Sequence, residues 1–295
     1  MMTRFFEAIY QGDRVIGMDE PSEFKTLKLY KTTIQQLLDS GECLADSDKV
    51  RHYLDNTTQA ITISKICIQD VILMPPLFPA SPGDAFVSGF MQTHNIKMDK
   101  SNSDNLKVPN WFFKGFTSSL KVSGSRLIVP KNPVALCEEA EVVLIYQADD
   151  FGKPQYRGYS FGNDLTDIGC FKRNPGHLAY AKLCDAAISY WFHTSPPPQK
   201  VNGEVTIKRD GKLVWQGIFN TGLLALGYDL SDMMNHLFSF PALCSPGRTY
   251  YVYIGADRSS YHSGFNVEDN DQVIINFLSH NVVIDNQIQF GYTAV

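Results

Sequence analysis

The segment CEEAEVVLIYQ, Cys137 to Gln147, sets a group of glutamates at the mouth of a run of strand-forming residues. On a strand, residues two apart point to the same face, so Glu139 and Glu141 project together while Glu138 and Ala140 face the other way. Two carboxylates on one face repel unless a cation sits between them. A further acidic candidate lies in YRGYSFGNDLTD, where Asn163 and Asp164 follow an apolar strand at a point from which a side chain can turn towards a ligand. Asp164 would add a third oxygen. Three carboxylates with no His or Cys clustered beside them select a hard cation, Mg²⁺, Mn²⁺ or Ca²⁺, over zinc. Spacing by itself leaves two blander readings open: a solvated acidic strand end and an Asn-Asp turn.

The chain that must position these residues has 295 residues, with 26 Lys and Arg against 31 Asp and Glu, a formal net charge of -5 and 44% hydrophobic residues. A binder of phosphate backbones needs a basic face, which this balance argues against. The apolar share argues against disorder. Cysteines stand at Cys43, Cys67, Cys137, Cys170, Cys184 and Cys244 without a Cys-x-x-Cys pair, so neither a disulfide scaffold nor a zinc knuckle is indicated. The opening MMTRFFEAIYQGDRVIGM meets Glu7, Gln11 and Asp13 before an apolar run reaches signal-peptide length. No stretch approaches the ~18 apolar residues of a membrane span. The expectation is a soluble protein in a reducing, cytoplasmic setting, with no nucleic-acid or membrane partner.

Phe5 to Val15 alternates around Gly12 and Asp13, a hairpin signal. Leu29, Ile34, Leu37 and Leu38 then fall at helical spacing, with Thr32 or Thr33 as N-cap and Gly41 as the stop. The cluster Pro75, Pro76, Pro79 and Pro82 interrupts helix and central strand alike, which places a boundary near residue 78. Residues 1–78 read as a small α/β domain and 79–295 as a mostly β one. In the latter, RLIVP, EVVLIYQ, YRGYSF, TYYVYIG, QVIINFL and NVVID recur between turn residues. Val205 and Ile207 share a face, Asp210-Gly211 makes a turn, and Leu213 and Trp215 supply the returning face. Helix signals are few: LSDMMNHLF with Ser231 as N-cap and Met233 and Met234 in the core, and a shorter one around HLAYAKL.

The ordered segments VILMPPLFP, AFVSGFMQTHNIKM, VPNWFFKGFTSSLKVSGSRLIVP, EEAEVVLIY, RGYSFGNDLTD and AYAKLCDAA resemble the fumarylacetoacetate hydrolase superfamily, from about Val71 to Phe290. Within it they are most similar to the 2-keto-3-deoxyarabonate-dehydratase-like branch. The resemblance implies an α+β fold, a mostly β sandwich roll behind a small N-terminal α/β domain. It also implies a divalent metal, Mg²⁺ or Mn²⁺ or Ca²⁺, held by Glu139, Glu141 and Asp164. Lys182 falls where the family has a lysine facing the substrate's oxygens, and His94 where it has the acid–base histidine of a lid.

Two departures stand out. In the hydrolases of this family a glutamate follows the histidine by three residues and the pair activates water; here that position is Lys97. Near the C-terminus a Gly-Thr pair that contacts the substrate carboxylate is replaced by Gly255-Ala256-Asp257, beside which Arg258 could hold a carboxylate or simply follow a turn. His177, His193, His236, His262 and His280 have no ligand-like spacing. The resemblance thus implies a metal-dependent lyase acting through the enolate of a 2-oxo acid or 1,3-dicarbonyl compound. His94 and Lys182 would be catalytic, and Lys97 and Arg258 would contact a small carboxylate substrate. Three alternatives stand beside it: an acylpyruvate hydrolase in which Glu268 or Asp269 orients water, an isomerase or cyclase acting on a polyketide-like substrate, and a binding protein that has kept only the fold. Relatives of this kind are commonly homodimers, and a homodimer is expected here.

Overall fold

The computed structural model describes residues 3–21, 26–42, 44–64, 70–97 and 108–291. The chain divides into two compact units, one of Met1–Phe78, Gly158–Ser160 and Tyr190–Pro196, the other of Pro79–Arg157, Phe161–Ser189 and Pro197–Val295.

In the first unit Arg4–Tyr10 pairs antiparallel with Asp13–Gly17, and Gln11 and Gly12 turn the chain at φ of 51° and 86°. The sheet continues through Leu27–Tyr30 to Ala60–Ile63, while Ile72–Met74 and Phe192–His193 pair with Arg4–Tyr10. Leu29, expected on a helix, is in a strand; the helix is Ile34–Asp39. It starts there because Thr33 accepts from the backbone of Gln36 while the Gln36 side chain accepts from that of Thr33, a reciprocal cap worth ~1 kcal/mol. Ser40, not Gly41, is the C-cap. A second helix, Ser47–Thr57, escaped the sequence reading because it buries only Val50 and Leu54, too few for a clear apolar stripe.

In the second unit Ala140–Ala148 lies between Pro154–Asn163 and Thr249–Tyr253, and the sheet runs on through Ala85–Phe90 to Trp111–Gly115. A mid-sheet strand covered on both faces reads as a continuous apolar run rather than an alternation, as VVLI does here. A five-stranded sheet stacks against it in the order Lys212–Thr221, Val201–Arg209, Gln272–Phe277, Val282–Phe290, Arg126–Val129. Phe161 of the first sheet meets Phe277 of the second with ring centroids 4.6 Å apart. The architecture is mostly β with short helices, the α+β sandwich type expected.

The Asp210-Gly211 hairpin is present, with φ of 51° and 74°. Leu213 does not return to the core: it is 58% exposed, because a register shift at Ile207/Lys208 follows the turn and its strand is the sheet edge. The helix Leu230–Leu237 buries Met233 and Met234 but is capped by Asp229, whose carboxylate accepts from the backbone of Ser231 and Asp232, so Ser231 is its first turn rather than its cap. Cys43 and Cys67 lie outside the described residues, and Cys137, Cys170, Cys184 and Cys244 are free thiols. Among the described residues no helix is long and apolar enough to cross a membrane.

Candidate metal centre and adjoining cleft

Two local pairings bring the acidic residues together. Leu136–Cys137 runs antiparallel to Thr166–Asp167, and beyond that ladder Asp164 N donates to Glu139 O (3.0 Å) while Glu139 N donates to the Asn163 side chain (3.0 Å). Glu141 enters from the other side of the same hairpin. Its strand pairs with Thr249–Tyr253, the register continues as Ile254 N to Val142 O (3.2 Å), and Gly255 N then donates to Glu141 Oε2 at 2.6 Å. Gly255 has φ of +96°, and a Cβ there would come 2.0 Å from Thr93 Oγ1, so both backbone conformation and space call for glycine.

Ligand atoms of Glu139, Glu141 and Asp164 lie within 4.8 Å of one another, and all three residues are buried. Glu138 departs as strand alternation requires, taking both the backbone N–H and the hydroxyl of Ser260 at 2.7 and 2.6 Å. Burial pushes its carboxyl up to about 7.

Two buried lysines face the three carboxylates. Lys182, at the C-cap of the helix Leu178–Ala181, is 1% exposed. It donates to Glu139 Oε2 (2.7 Å), to Asp164 and to Thr166 Oγ1 (2.8 Å), with the Phe112 ring 4.3 Å from its Nζ. Lys114, on Trp111–Gly115, pairs with Asp164 Oδ1 at 2.7 Å and donates to the carbonyls of Leu165 (2.7 Å) and Lys182 (3.2 Å). The sequence reading passed over Lys114; its signal was a lone lysine between Phe113 and Phe116 in an otherwise apolar strand.

The charges are unevenly matched. Burial raises Glu139, but Lys182 and Lys97 overcome it and hold the carboxyl down at about 2. Glu141 has no lysine contact among the described residues, and burial, then Asp164 and Glu139, push it well above the usual carboxylate range. Burial works against the Lys182 ammonium too, yet Asp164, Glu139 and Glu141 raise its pKa overall. The donor set is all oxygen, buried, and among the described residues has one carboxylate, Glu141, that no lysine contacts. Those features fit a hard divalent cation.

Lys97 leads outward from this centre, its Nζ 3.8 Å from Glu139 Oε1. It borders a cleft of about 350 Å³ whose walls include Trp215, Ile218, Asp257, Arg258 and His262. Ile218 is 68% exposed, an apolar wall open to solvent. Arg258 is about half exposed and lies 3.5 Å from Asp257 Oδ2. His262, set aside on spacing, thus stands at the cleft, in a cap with Ser259.

His94 is buried beneath the cleft rather than lining it. Its Nδ1 meets Thr93 Oγ1 at 3.0 Å and its Nε2 meets Thr221 Oγ1 at 2.9 Å. Burial, then Lys97, lower its pKa to about 4. Residues 98–107, which follow Lys97, lie outside the described residues. Glu268 and Asp269, the carboxylates considered for water activation, belong elsewhere. Glu268 pairs with Arg209 at 2.8 Å and Asp269 accepts from Phe290 N at 2.7 Å.

A pH dependence follows from His94. The unfolded chain protonates the ring near 6.5 and the folded chain only near 4, so between those values the unfolded state binds more protons and stability falls as pH falls. Relative to His94→Asn, the wild type is expected to lose stability by on the order of 2–3 kcal/mol between pH 6.5 and pH 4. Paired urea titrations at the two ends would read it, and a difference that stays constant with pH would show that the ring is not held neutral.

No protein-family model matches the sequence, and no curated protein matches it. Solved structures do. The 2-keto-3-deoxy-D-arabinonate dehydratase in its apo form superposes with a TM-score of 0.68 at 16% identity, covering 98% of this chain and 100% of that one. The same dehydratase complexed with magnesium and 2,5-dioxopentanoate gives 0.66 at 16% identity over 98% and 100%. A 5-carboxymethyl-2-hydroxymuconate delta-isomerase from Mycobacterium smegmatis gives 0.62 at 13% identity over 97% and 99%. The superposition over 98% of this chain shows the fold: it is the mostly β fumarylacetoacetate-hydrolase-type sandwich, as in the dehydratase structure.

Proposed function

We propose that the chain is a divalent-metal-dependent enzyme working through the enolate of a 2-oxo acid or 1,3-dicarbonyl substrate, in the manner of a dehydratase-type lyase. What carries this reading is the buried convergence of Glu139, Glu141 and Asp164, with no lysine in contact with Glu141 among the described residues. Similarity to a fold that includes a dehydratase complexed with magnesium and 2,5-dioxopentanoate supports it. These three residues would hold Mg²⁺, or Mn²⁺ or Ca²⁺ in its place. When bound, the ion supplies positive charge to a 2-oxo acid's carboxylate and keto oxygens and to the enolate formed from it.

The chain's own groups do the rest. Lys182 keeps a second positive charge inside the centre, where low polarity strengthens its hold on developing oxyanion charge. Lys97 stands between the centre and the cleft and draws a carboxylate inward, and Arg258 can hold a carboxylate at the outer wall in two-point fashion. With Lys97 in place of the glutamate that activates water, lyase chemistry is favoured over hydrolysis. Residues 79–295 supply every member of this site, and a cytoplasmic homodimer taking a small carboxylate substrate belongs to the same proposal.

The test begins with protein stripped by a chelator and titrated calorimetrically. About one Mg²⁺, Mn²⁺ or Ca²⁺ per chain is expected to bind. The loaded protein should then dehydrate a 2-keto-3-deoxy sugar acid faster than it hydrolyses an acylpyruvate. Failure of all three ions to bind would end the proposal; binding followed by efficient acylpyruvate hydrolysis would replace lyase with hydrolase.

A further inference from the structure

We infer that Asp257, in the cleft beside the acidic centre, is the base that takes the proton from the carbon next to the substrate's keto group. Three observations carry it, and it rests on the enolate chemistry proposed above.

The first is an oxygen without a partner. The Asp257 side chain is only 10% exposed, and its Oδ1 has no hydrogen-bond partner among the described residues. A buried carboxylate oxygen left uncovered is costly, and such groups in folded proteins generally have a reason in function. The second is that the carboxyl is nevertheless aimed. Its Oδ2 accepts from Asn220 N at 3.0 Å, and Arg258 Nε lies 3.5 Å from the same atom. One oxygen is anchored and the other is buried and unpaired, on a residue that lines the cleft with Lys97, Trp215 and His262. Desolvation raises the carboxyl's pKa, which makes it a better proton acceptor than a surface aspartate.

The third concerns the competing base. Both ring nitrogens of His94 are engaged by the hydroxyls of Thr93 and Thr221, and the ring does not line the cleft. In this arrangement His94 ties the segment that carries Lys97 to the strand Lys212–Thr221, and among the residues that line the cleft it is Asp257 whose carboxyl keeps a buried oxygen without a hydrogen-bond partner.

The step balances without a further reactant. The C3–H bond breaks, its proton passes to Asp257 Oδ1, the electron pair forms the C2–C3 double bond, and the carbonyl pair moves onto the keto oxygen. Reversal returns a proton to C3. In D₂O the protonated carboxyl exchanges with solvent, so repeated passage replaces C3 hydrogen with deuterium.

The probe is 2-oxobutanoate with Mg²⁺ in D₂O, followed by proton NMR at C3. Asp257→Asn keeps an oxygen for Asn220 N and removes the basic oxygen. It is expected to lower the exchange rate by roughly 10²–10⁴-fold while leaving the melting temperature and Mg²⁺ affinity near those of the wild type. Asp257→Ala should be restored in part by added formate, which a purely structural role would not allow. His94→Gln should cost far less than Asp257→Asn. Undiminished exchange in Asp257→Asn, or a loss confined to His94→Gln, overturns the role of Asp257 and leaves the enolate chemistry standing. A wild type that binds Mg²⁺ but never exchanges C3 of 2-oxobutanoate, or of the longer 2-oxohexanoate, overturns both.

Discussion

Lys114→Met is expected to destabilise the protein by about 3–5 kcal/mol, the range seen when one member of a buried ion pair is removed. Methionine fills most of the stem's volume, so the loss is not chiefly a cavity. What disappears is the ammonium that pairs with Asp164 Oδ1 and donates to the carbonyls of Leu165 and Lys182. Asp164 keeps Lys182, but its Oδ1 is then buried without the ammonium charge beside it, and the carbonyls of Leu165 and Lys182 lose a donor. Denaturant unfolding of the metal-free protein gives the number. Because Lys114 sits behind Asp164 rather than in the cleft, the change also loosens a proposed ligand, and Mg²⁺ affinity should fall with stability. A variant as stable as the wild type would mean that Asp164 is held by Lys182 alone.

Glu141→Gln should do the opposite to stability. The carboxyl of Glu141 has a folded-state pKa raised by burial and by Asp164 and Glu139, so its contribution to stability is full below its unfolded value of 4.5 and is lost as pH rises through the folded value. At neutral pH the wild-type centre therefore carries a cost, first of burial and then of its acidic neighbours, that glutamine removes, while the amide oxygen still accepts from Gly255 N. Metal-free Glu141→Gln is expected to be more stable than the wild type at pH 7 by on the order of 1–3 kcal/mol, with Mg²⁺ affinity reduced by at least about 10–100-fold. Saturating Mg²⁺ should raise the melting temperature of the wild type and barely move that of the variant. Melting curves with and without Mg²⁺ read both effects. A variant that is less stable without metal would show that Glu141 is held for packing rather than for a cation.

The opposite signs separate two kinds of residue in one cage. Lys114 offsets the charge that the site requires, and Glu141 carries a charge that folding alone disfavours. A site in which a buried carboxylate is better replaced, as far as stability goes, is one arranged for a ligand.

Some of this was legible in the chain. Alternation on a strand placed Glu139 and Glu141 on one face and turned Glu138 away, because side-chain direction along an extended backbone has a period of two whatever surrounds it. Asp210-Gly211 specified its hairpin, since residues that tolerate positive φ at adjacent positions have few other uses between apolar runs. Caps and register were less secure: Asp229 prevailed over Ser231, and Leu213 turned to solvent, because neighbouring donors and a bulge choose among alternatives that the local sequence leaves nearly equal.

What only the tertiary structure decided is the company each charged group keeps. Asp164 reaches Glu139 through a short ladder between Leu136–Cys137 and Thr166–Asp167, and Lys114 and Lys182 arrive from a distant strand and a short helix. Lys97, read from the sequence as a missing glutamate and as a substrate contact, faces Glu139. His94 is locked between two hydroxyls, and Asp257 keeps one buried oxygen without a hydrogen-bond partner among the described residues. Residue type and local spacing determine what a side chain is able to do and which way it leaves the backbone. Whether it is charged, paired or free depends on the dielectric and the partners around it, and those are set by contacts between segments far apart in the chain.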